Sequence, residues 1–201
     1  MDSSDLPTRI VLIDRTPAMA VAWKRAFGSV EGVEVVEGDY FSCPADAMVS
    51  PANSFGIMDG GLDAAIRHTL GFEVQRAAQR AILDKHHGEL AVGQAEVVRT
   101  PHSDWPWLIV APTMRTPESV ARTPNAYLAF RAVLLVTARF NRAGEDRIDS
   151  LVCPGLGTGI GAMDYERCAT QMFLAHRQVS SPARIPSFRQ ILQLHEALVR
   201  S

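Results

Sequence analysis

Polar side chains that could do chemistry are concentrated in the segment 50–63, whose sequence is SPANSFGIMDGGLD. The carboxylates of Asp59 and Asp63 can accept hydrogen bonds or move a proton, and the amide of Asn53 can both donate and accept. The glycines let the main chain approach a ligand closely and leave backbone N–H groups available to an anion. A turn-rich connection between a strand and a helix is the alternative interpretation of this segment.

A second glycine-rich segment, PGLGTGIG at residues 154–161, also follows a buried run of residues. Open α/β sheets bind ligands at the carboxyl ends of their strands, so the two segments are predicted to face one site. Residues 157–162 match the G-x-G-x-x-G/A fingerprint of dinucleotide-binding folds. That fingerprint requires a further strand ending in an acid about twenty residues later. The sequence there is Ser180-Ser-Pro-Ala, which disfavours dinucleotide binding.

Two other phosphate or hydrolase motifs are missing from the sequence. Neither segment closes with the Gly-Lys-Ser/Thr of a P-loop, and the chain has no Gly-x-Ser-x-Gly nucleophile motif. The remaining interpretation is a loop whose backbone N–H groups hold a phosphate, with the dipole of the following helix behind it.

Three polar side chains are candidates for recognising the rest of such a ligand. Asp39 follows Gly38 at a predicted strand end, where it could accept from an exocyclic amine such as that of adenine; a turn-forming aspartate is the alternative. Asn53 suits a pair of ribose hydroxyls, or else an Asx-turn. Asp63 lies in the first turn of a predicted helix, where a carboxylate is favoured by the helix dipole. Beside a bound sugar, the same carboxylate could orient or deprotonate water.

Composition sets outer limits on the function. The chain has 201 residues, 47% of them hydrophobic and 21% charged, which is ordinary for a globular domain. A formal net charge of −2 gives no bulk attraction to nucleic acid or to an anionic membrane. No apolar run is long enough to span a membrane, and the first residues do not resemble a secretory signal. The 3 cysteines and the histidines show neither a disulfide framework nor metal-ligand spacing, so we expect a cytoplasmic protein without a metal.

Short buried runs alternate with helical patterns along the chain, which predicts an α/β sheet with helices on both faces. The predicted strands are residues 9–14, 33–37, 45–49, 95–99, 107–111 and 147–153. The predicted helices are residues 17–27, 62 to the break at Gly71, 72–86, 124–141 with Thr123 as the N-cap, 163–176, and a last helix opened by a capping box at 187–190 and ending near 200.

From about Val33 to Ala175 the chain resembles the macrodomain family, the ADP-ribose-binding α/β/α modules. Gly38-Asp39 resembles the Gly-Asp pair whose acid contacts adenine in that family. The segment 45–53 resembles the strand that ends in the Asn-Ala-Ala-Asn signature, with Asn53 on its last asparagine. The segments 58–66 and 154–161 are similar to the family's glycine stretch with its helix and to its diphosphate-binding loop.

The chain departs from the family pattern at several positions. Ser50-Pro51 replaces Asn-Ala, Asp59 stands where a glycine is usual, and Gly161 occupies a position where many members carry an aromatic that shields the distal ribose. Asp63 matches the acid found in the hydrolytic subgroup that removes mono-ADP-ribose from acidic side chains. The resemblance therefore leaves open how the distal sugar and any attached group are held.

The resemblance implies a three-layer α/β/α macrodomain with a mixed central sheet over residues 1–180, with a C-terminal helical appendage, 181–201, packed on the same domain. It implies ADP-ribose or an ADP-ribosylated protein as partner, no cofactor, and hydrolysis of mono-ADP-ribose from modified proteins or of a related ester. A non-catalytic ADP-ribose reader and a binder of another phosphorylated nucleotide are the alternatives. The implied catalytic residues are Asn53 and Asp63. The implied ligand-binding residues are Asp39, Ala52, Gly60, Gly61, Leu62, Gly157, Thr158, Gly159, Ile160 and Gly161.

Overall fold

The structure is a computed structural model that describes residues 5–144 and 146–199 and the backbone of residue 200. Its strands are β1 (Arg9–Asp14), β2 (Val33–Glu37), β3 (Ala47–Ser50), β4 (Glu96–Arg99), β5 (Trp107–Val110) and β6 (Ser150–Cys153). Its α-helices are α1 (Pro17–Phe27), α2 (Gly61–Leu70), α3 (Glu73–His86), α4 (Asn125–Ala143), α5 (Tyr165–Ser180) and α6 (Phe188–Arg200). Every predicted strand and helix is present, with boundaries that shift by a few residues.

The six strands form one mixed sheet in the order β2-β1-β6-β3-β5-β4. All neighbouring strands are parallel except β4, which runs antiparallel to β5 at one edge. The carboxyl ends of β1, β2, β3, β5 and β6 therefore meet at the same edge of the sheet. The predicted α/β class with a mixed sheet is confirmed.

Alternate residues of the strands point to opposite faces of the sheet, and each face is covered by different helices. Ile10 and Leu12 of β1 pack into one apolar core with α1, α4 and α5. Val11 and Ile13 pack into a second core with α2 and α3. The sheet is thus buried on both sides, as parallel strands require, and the predicted three layers are confirmed.

The start of β6 and the start of α4 are two of the predicted boundaries that were wrong. The last strand was predicted to begin at 147, but the backbone N–H of Ile148 is bonded to the Asn141 side chain, and that of Asp149 is bonded to the Asp46 carboxylate. The N–H groups of these two residues are therefore bonded to side chains and not to a neighbouring strand, and β6 starts at Ser150. Helix α4 was predicted to begin at Pro124 but begins at the next residue, with Pro124 itself as the N-cap.

The C-terminal helix α6 opens with the predicted capping box, in which Ser187 N donates to Gln190 Oε1 at 3.0 Å. Near the other end of the helix, Leu198 is buried against the core on the α5 side of the sheet. The backbone oxygen of Leu198 accepts from Gln171 Nε2 at 2.8 Å. The sequence predicted a macrodomain over residues 1–180 and an appendage over residues 181–201. The outer limits of these two segments, residues 1 and 201, lie outside the described residues. Within those residues, no helix is long and apolar enough to cross a membrane.

Tyr40 joins β3 to β6 at the point where their pairing ends. It lies in the short 3-10 turn Tyr40–Ser42 after β2 and is buried. Its hydroxyl accepts from Val49 N at 3.0 Å and lies 2.6 Å from Val49 O and 3.0 Å from Val152 O, to either of which it can donate. The last paired residues of the two strands are Met48 and Val152. The tyrosine hydroxyl therefore satisfies backbone groups where the sheet begins to open.

Tyr40→Phe is expected to lower the free energy of unfolding by about 1–3 kcal/mol, because it leaves the buried Val49 N–H without this partner. Urea unfolding measures the change. Tyr165→Phe is the matched control, since it removes the same atom from a half-buried side chain at the start of α5, and it should cost less than about 0.5 kcal/mol. Equal stability of the Tyr40→Phe variant and the wild type would contradict the role given to this hydroxyl.

Candidate functional site

A cleft of about 590 Å³ opens at the carboxyl edge of the sheet. Its walls come from the residues that follow five strands, β1, β2, β3, β5 and β6, together with the first turn of α2. Such an edge is where open α/β sheets bind ligands. All of the residues named in advance for the site line this cleft: Asp39, Ala52, Asn53, Gly60, Gly61, Leu62, Asp63, Gly157, Thr158, Gly159, Ile160 and Gly161.

The first glycine-rich segment forms the loop between β3 and α2, and the Asn53 side chain shapes it. Asn53 Oδ1 accepts from Phe55 N at 3.1 Å and from Ile57 N at 3.3 Å, and Asn53 Nδ2 donates to Ile57 O at 2.7 Å. This arrangement is the Asx-turn that the sequence analysis gave as the alternative role of Asn53. The amide nitrogen carries a second hydrogen, which these contacts do not use. Asn53 can therefore hold the loop and still donate to a ligand.

Asp59 lines the cleft but is paired with a cation on α2. Its Oδ1 accepts from Arg67 Nη1 at 2.5 Å, and the same nitrogen donates to Gln75 Oε1 at 2.9 Å. The Gln75 oxygen also accepts from Met58 N at 3.0 Å, which ties the loop to α3. The negative charge of Asp59 is therefore paired with the positive charge of Arg67, and this contact helps to fix the loop.

The loop ends at the N-terminus of α2, where Gly60 is the N-cap and Gly61 has a positive φ of 55°. The first N–H groups of a helix have no partner inside the helix, and the dipole favours negative charge there. An added Cβ at Gly60 or Gly61 would meet no atom within 4 Å, so both glycines face open space. The backbone is thus accessible to an anion at this end of the cleft.

The second glycine-rich segment, 154–161, forms a tight loop between β6 and α5. Gly157 has a φ of 76°, and a Cβ there would lie 2.9 Å from Val120 Cγ2. A Cβ on Gly161 would lie 2.5 Å from Gly157 O and 2.6 Å from the same Val120 carbon. Gly159, by contrast, has open space around it, and Ile160 is 62% exposed. Two glycines are therefore required by packing, while the middle of the loop faces the cleft.

Asp63 lies in the first turn of α2 and is mostly buried against the floor of the cleft. Burial raises the pKa of its carboxyl to about 6, and a hydrogen bond from Ser50 acts in the opposite direction. Ser50 Oγ donates to Asp63 Oδ1 at 2.6 Å. A favourable interaction with the helix dipole is therefore not the full role that this acid can have. A carboxyl with a pKa this close to neutrality can accept a proton at physiological pH.

Asp39 stands at the other end of the cleft and caps the 3-10 turn after β2. Its Oδ1 accepts from Phe41 N at 3.1 Å, and its Oδ2 accepts from Arg15 Nη2 at 2.6 Å. The Phe41 N–H first, and then the Arg15 guanidinium, lower the pKa of Asp39 below its ordinary value. The Asp39 carboxylate is therefore ionised. It also stabilises the turn, which was the alternative role predicted from the sequence.

Sequence reasoning missed several residues of the cleft, among them Arg15 after β1 and Thr113 and Met114 after β5. Met114 also forms an isolated parallel bridge with Asn53, which extends the β3–β5 pairing beyond the strands. Their positions in the sequence could have identified them as site residues. Each follows a predicted parallel strand and so comes to the same edge of the sheet.

Together, the fold and the cleft define an open-sheet α/β module with two glycine-rich loops at the carboxyl ends of its parallel strands. A family model described as Macro domain matches residues 49–172. An uncharacterised protein of Aquifex aeolicus is 31% identical over 140 residues, which cover 70% of this chain and 78% of that protein. A macro domain-containing protein of Cupriavidus necator is 30% identical over 165 residues, which cover 81% of this chain and 89% of that one. The chain belongs to the macrodomain family.

Solved structures show the same fold. The macrodomain of Mycobacterium tuberculosis DarG aligns with a TM-score of 0.58 at 24% identity, over 71% of this chain and 88% of that one. DarTG of Thermosipho africanus, in complex with ADP-ribose, aligns with a TM-score of 0.57 at 19% identity, over 85% of this chain and 53% of that one. At these identities the similarity establishes the fold of the chain, and the ligand named belongs to that structure.

Proposed function

We propose that the cleft binds ADP-ribose and that the protein hydrolyses mono-ADP-ribose from modified proteins, or a related ADP-ribose ester. The observation that carries the proposal is the Asp63 carboxyl, whose pKa is about 6 and which lies beside a cleft flanked by two glycine-rich loops. The ADP-ribose complex of a protein with this fold supports the choice of ligand. The proposal requires neither a metal nor a cofactor and places the reaction in the cytoplasm.

The diphosphate would lie between the two loops. On one side are the N-terminal N–H groups of α2 at Gly60 and Gly61, which carry the positive end of the helix dipole. On the other side is the segment 158–161, where the backbone at Gly159 faces open space. The diphosphate would thus be bound by backbone N–H groups from both sides, which suits a chain of net charge −2.

The adenine would lie at the Asp39 end of the cleft, where the ionised carboxylate can accept from the exocyclic amine. Arg15, which is bonded to the same carboxylate and also lines the cleft, adds a cation at this end. A guanidinium plane can stack on an aromatic base, so Arg15 could contact the adenine without leaving Asp39.

The distal ribose would lie beside Asn53 and Asp63. The free hydrogen of the Asn53 amide can bind a ribose hydroxyl, while Asp63 accepts a proton from water that attacks at or near the anomeric carbon. The bond between the anomeric carbon and the oxygen of the modified acidic side chain breaks, that side chain leaves as a carboxylate, and the proton held by Asp63 can return to solvent. A base with a pKa of about 6 is ionised for most of its time at neutral pH, which this role requires.

Calorimetric titration with ADP-ribose and, in parallel, with ADP tests the binding step. We expect micromolar affinity for ADP-ribose, corresponding to roughly −8 kcal/mol, and much weaker binding of ADP, which lacks the distal ribose. Adding NAD and ADP-ribose phosphate as competitors tests whether another phosphorylated nucleotide is preferred. If neither ADP-ribose nor ADP binds, the proposal is wrong.

Release of ADP-ribose from a mono-ADP-ribosylated protein tests the chemical step. A hydrolase releases ADP-ribose in multiple turnovers, whereas a reader binds the modified protein and leaves the linkage intact. Substrates linked through an acidic side chain and a small ADP-ribose ester should be compared, because both belong to the proposal. Tight binding of ADP-ribose with no release from either substrate would favour the reader.

A further inference from the structure

Ser50 is the last residue of β3, and its side chain contacts Asp63 in the first turn of α2. Its side chain is fully buried, and its backbone oxygen accepts from Ala111 N at 3.0 Å, so the residue is held in the sheet. Its hydroxyl donates to Asp63 Oδ1 at 2.6 Å, a short bond typical of an ionised acceptor. A serine hydroxyl has a single hydrogen, so this contact uses its full donor capacity.

This hydrogen bond gives the two carboxyl oxygens of Asp63 different environments. Oδ1 is tied to the sheet through Ser50, which restrains the carboxyl of this cleft residue. Oδ2 is then the oxygen through which the carboxyl can meet a ligand hydroxyl or a water molecule. We propose that Ser50 is a positioning residue, which holds one carboxyl oxygen of Asp63 and so presents the other to the bound ligand. This inference rests on the proposed function of the same cleft.

The charges around Asp63 do not supply an equivalent restraint. Tyr40, from the turn after β2, interacts electrostatically with Asp63, but burial raises the pKa of the tyrosine well above its ordinary value and keeps it neutral. Arg67, one turn further along α2, is paired with Asp59. Ser50 is the group that favours the ionised form of Asp63 against the effect of burial. Ser50 therefore restrains the orientation of this carboxyl and partly offsets the effect of burial on its pKa.

Ser50→Ala tests the inference through the titration of Asp63, followed by NMR of its side-chain carboxyl carbon in the full-length protein. Loss of a charge-assisted hydrogen bond should raise the pKa of Asp63 by about one unit. Ser50→Thr keeps a hydroxyl and should restore the wild-type titration. An unchanged pKa in Ser50→Ala would overturn the inference.

The pH dependence of turnover gives a second readout. In Ser50→Ala, the acid limb of the kcat profile should move to higher pH by the same amount, giving about fivefold lower kcat at pH 6 and equal kcat near pH 9. The KM for the modified protein should change less than kcat, since the loops that bind the diphosphate are intact. A loss of kcat that is uniform across pH would mean a merely structural role and would also overturn the inference.

Ser150→Ala is the matched control, because Ser150 Oγ donates to Asp46 Oδ2 at 2.8 Å outside the cleft. It removes another serine–aspartate hydrogen bond and should leave both the Asp63 titration and the kcat profile unchanged. If the wild type releases no ADP-ribose from any substrate, the hydrolytic part of the proposed function fails. The NMR titration of Ser50→Ala still decides the role of Ser50 in that case.

Discussion

Asp63→Asn is expected to slow the release of ADP-ribose from a modified protein by about 10²–10⁴-fold, the range lost when a general base is removed. The amide has nearly the same shape and can still accept the hydrogen bond from Ser50, but it cannot accept a proton from water. Affinity for free ADP-ribose should stay within about threefold of the wild type, because the substitution leaves the contacts proposed for the diphosphate unchanged. Single-turnover release and calorimetry measure the two quantities.

Asp59→Asn is the matched control, since Asp59 also lines the cleft but is paired with Arg67 and exposed. Its effect on turnover should be less than about threefold, as expected for a group outside the proton transfer. Full turnover by Asp63→Asn with normal binding would remove Asp63 from the mechanism. A larger loss in Asp59→Asn than in Asp63→Asn would move the catalytic role to the other acid.

The same Asp63→Asn variant should be more stable than the wild type above pH 6. The pKa of Asp63 is about 6 in the folded protein against an ordinary value of 3.8, so the folded state binds the proton more tightly than the unfolded state. The stabilisation linked to this proton is fully present below pH 3.8 and is lost as the pH rises through about 6. Urea unfolding at pH 8 should therefore favour the variant by up to about 3 kcal/mol, and by much less at pH 4.

Gly161→Ala is expected to weaken ADP-ribose binding by about 5- to 150-fold. The new Cβ would lie 2.5 Å from Gly157 O, a backbone atom of the same loop, so the loop must move. Overpacking of this kind costs about 1–3 kcal/mol, and a displaced loop would lose the N–H contacts proposed for the diphosphate. The same crowding explains why this position carries no aromatic side chain in this protein. Calorimetry measures the affinity, and urea unfolding measures the accompanying loss of stability.

Gly159→Ala separates loop packing from a general effect of adding a methyl group. A Cβ at Gly159 meets no atom within 4 Å, and the backbone N–H is retained. We expect binding within about threefold of the wild type, the range of a substitution that creates no clash. If Gly161→Ala binds ADP-ribose as well as Gly159→Ala does, the loop is more deformable than its contacts indicate.

The strands, the helices and part of the site could be predicted from the sequence because they depend on local patterns. Alternation of buried runs with helical periods predicted the α/β sheet and its flanking helices, and the resemblance to macrodomains implied that the sheet is mixed. All of the residues proposed for the site line one cleft, because the segments that carry them follow parallel strands whose carboxyl ends meet at one edge. The start of β6 was wrong because Asp46 and Asn141, distant in sequence, bind the backbone before Ser150.

From the sequence alone we predicted an α/β fold, a resemblance to macrodomains and twelve of the residues that line the cleft. Only the tertiary structure decided what each polar side chain does there. Asn53 was predicted to bind the ribose, and its side chain also forms an Asx-turn. The Asp39 carboxylate, predicted to bind adenine, also accepts a hydrogen bond from Arg15. Ser50 had no explanation until its hydroxyl was found on Asp63, 13 residues further along the chain. Hydrogen-bond partners and burial, which set the charge of an acid, depend on packing between elements, and no local pattern specifies them.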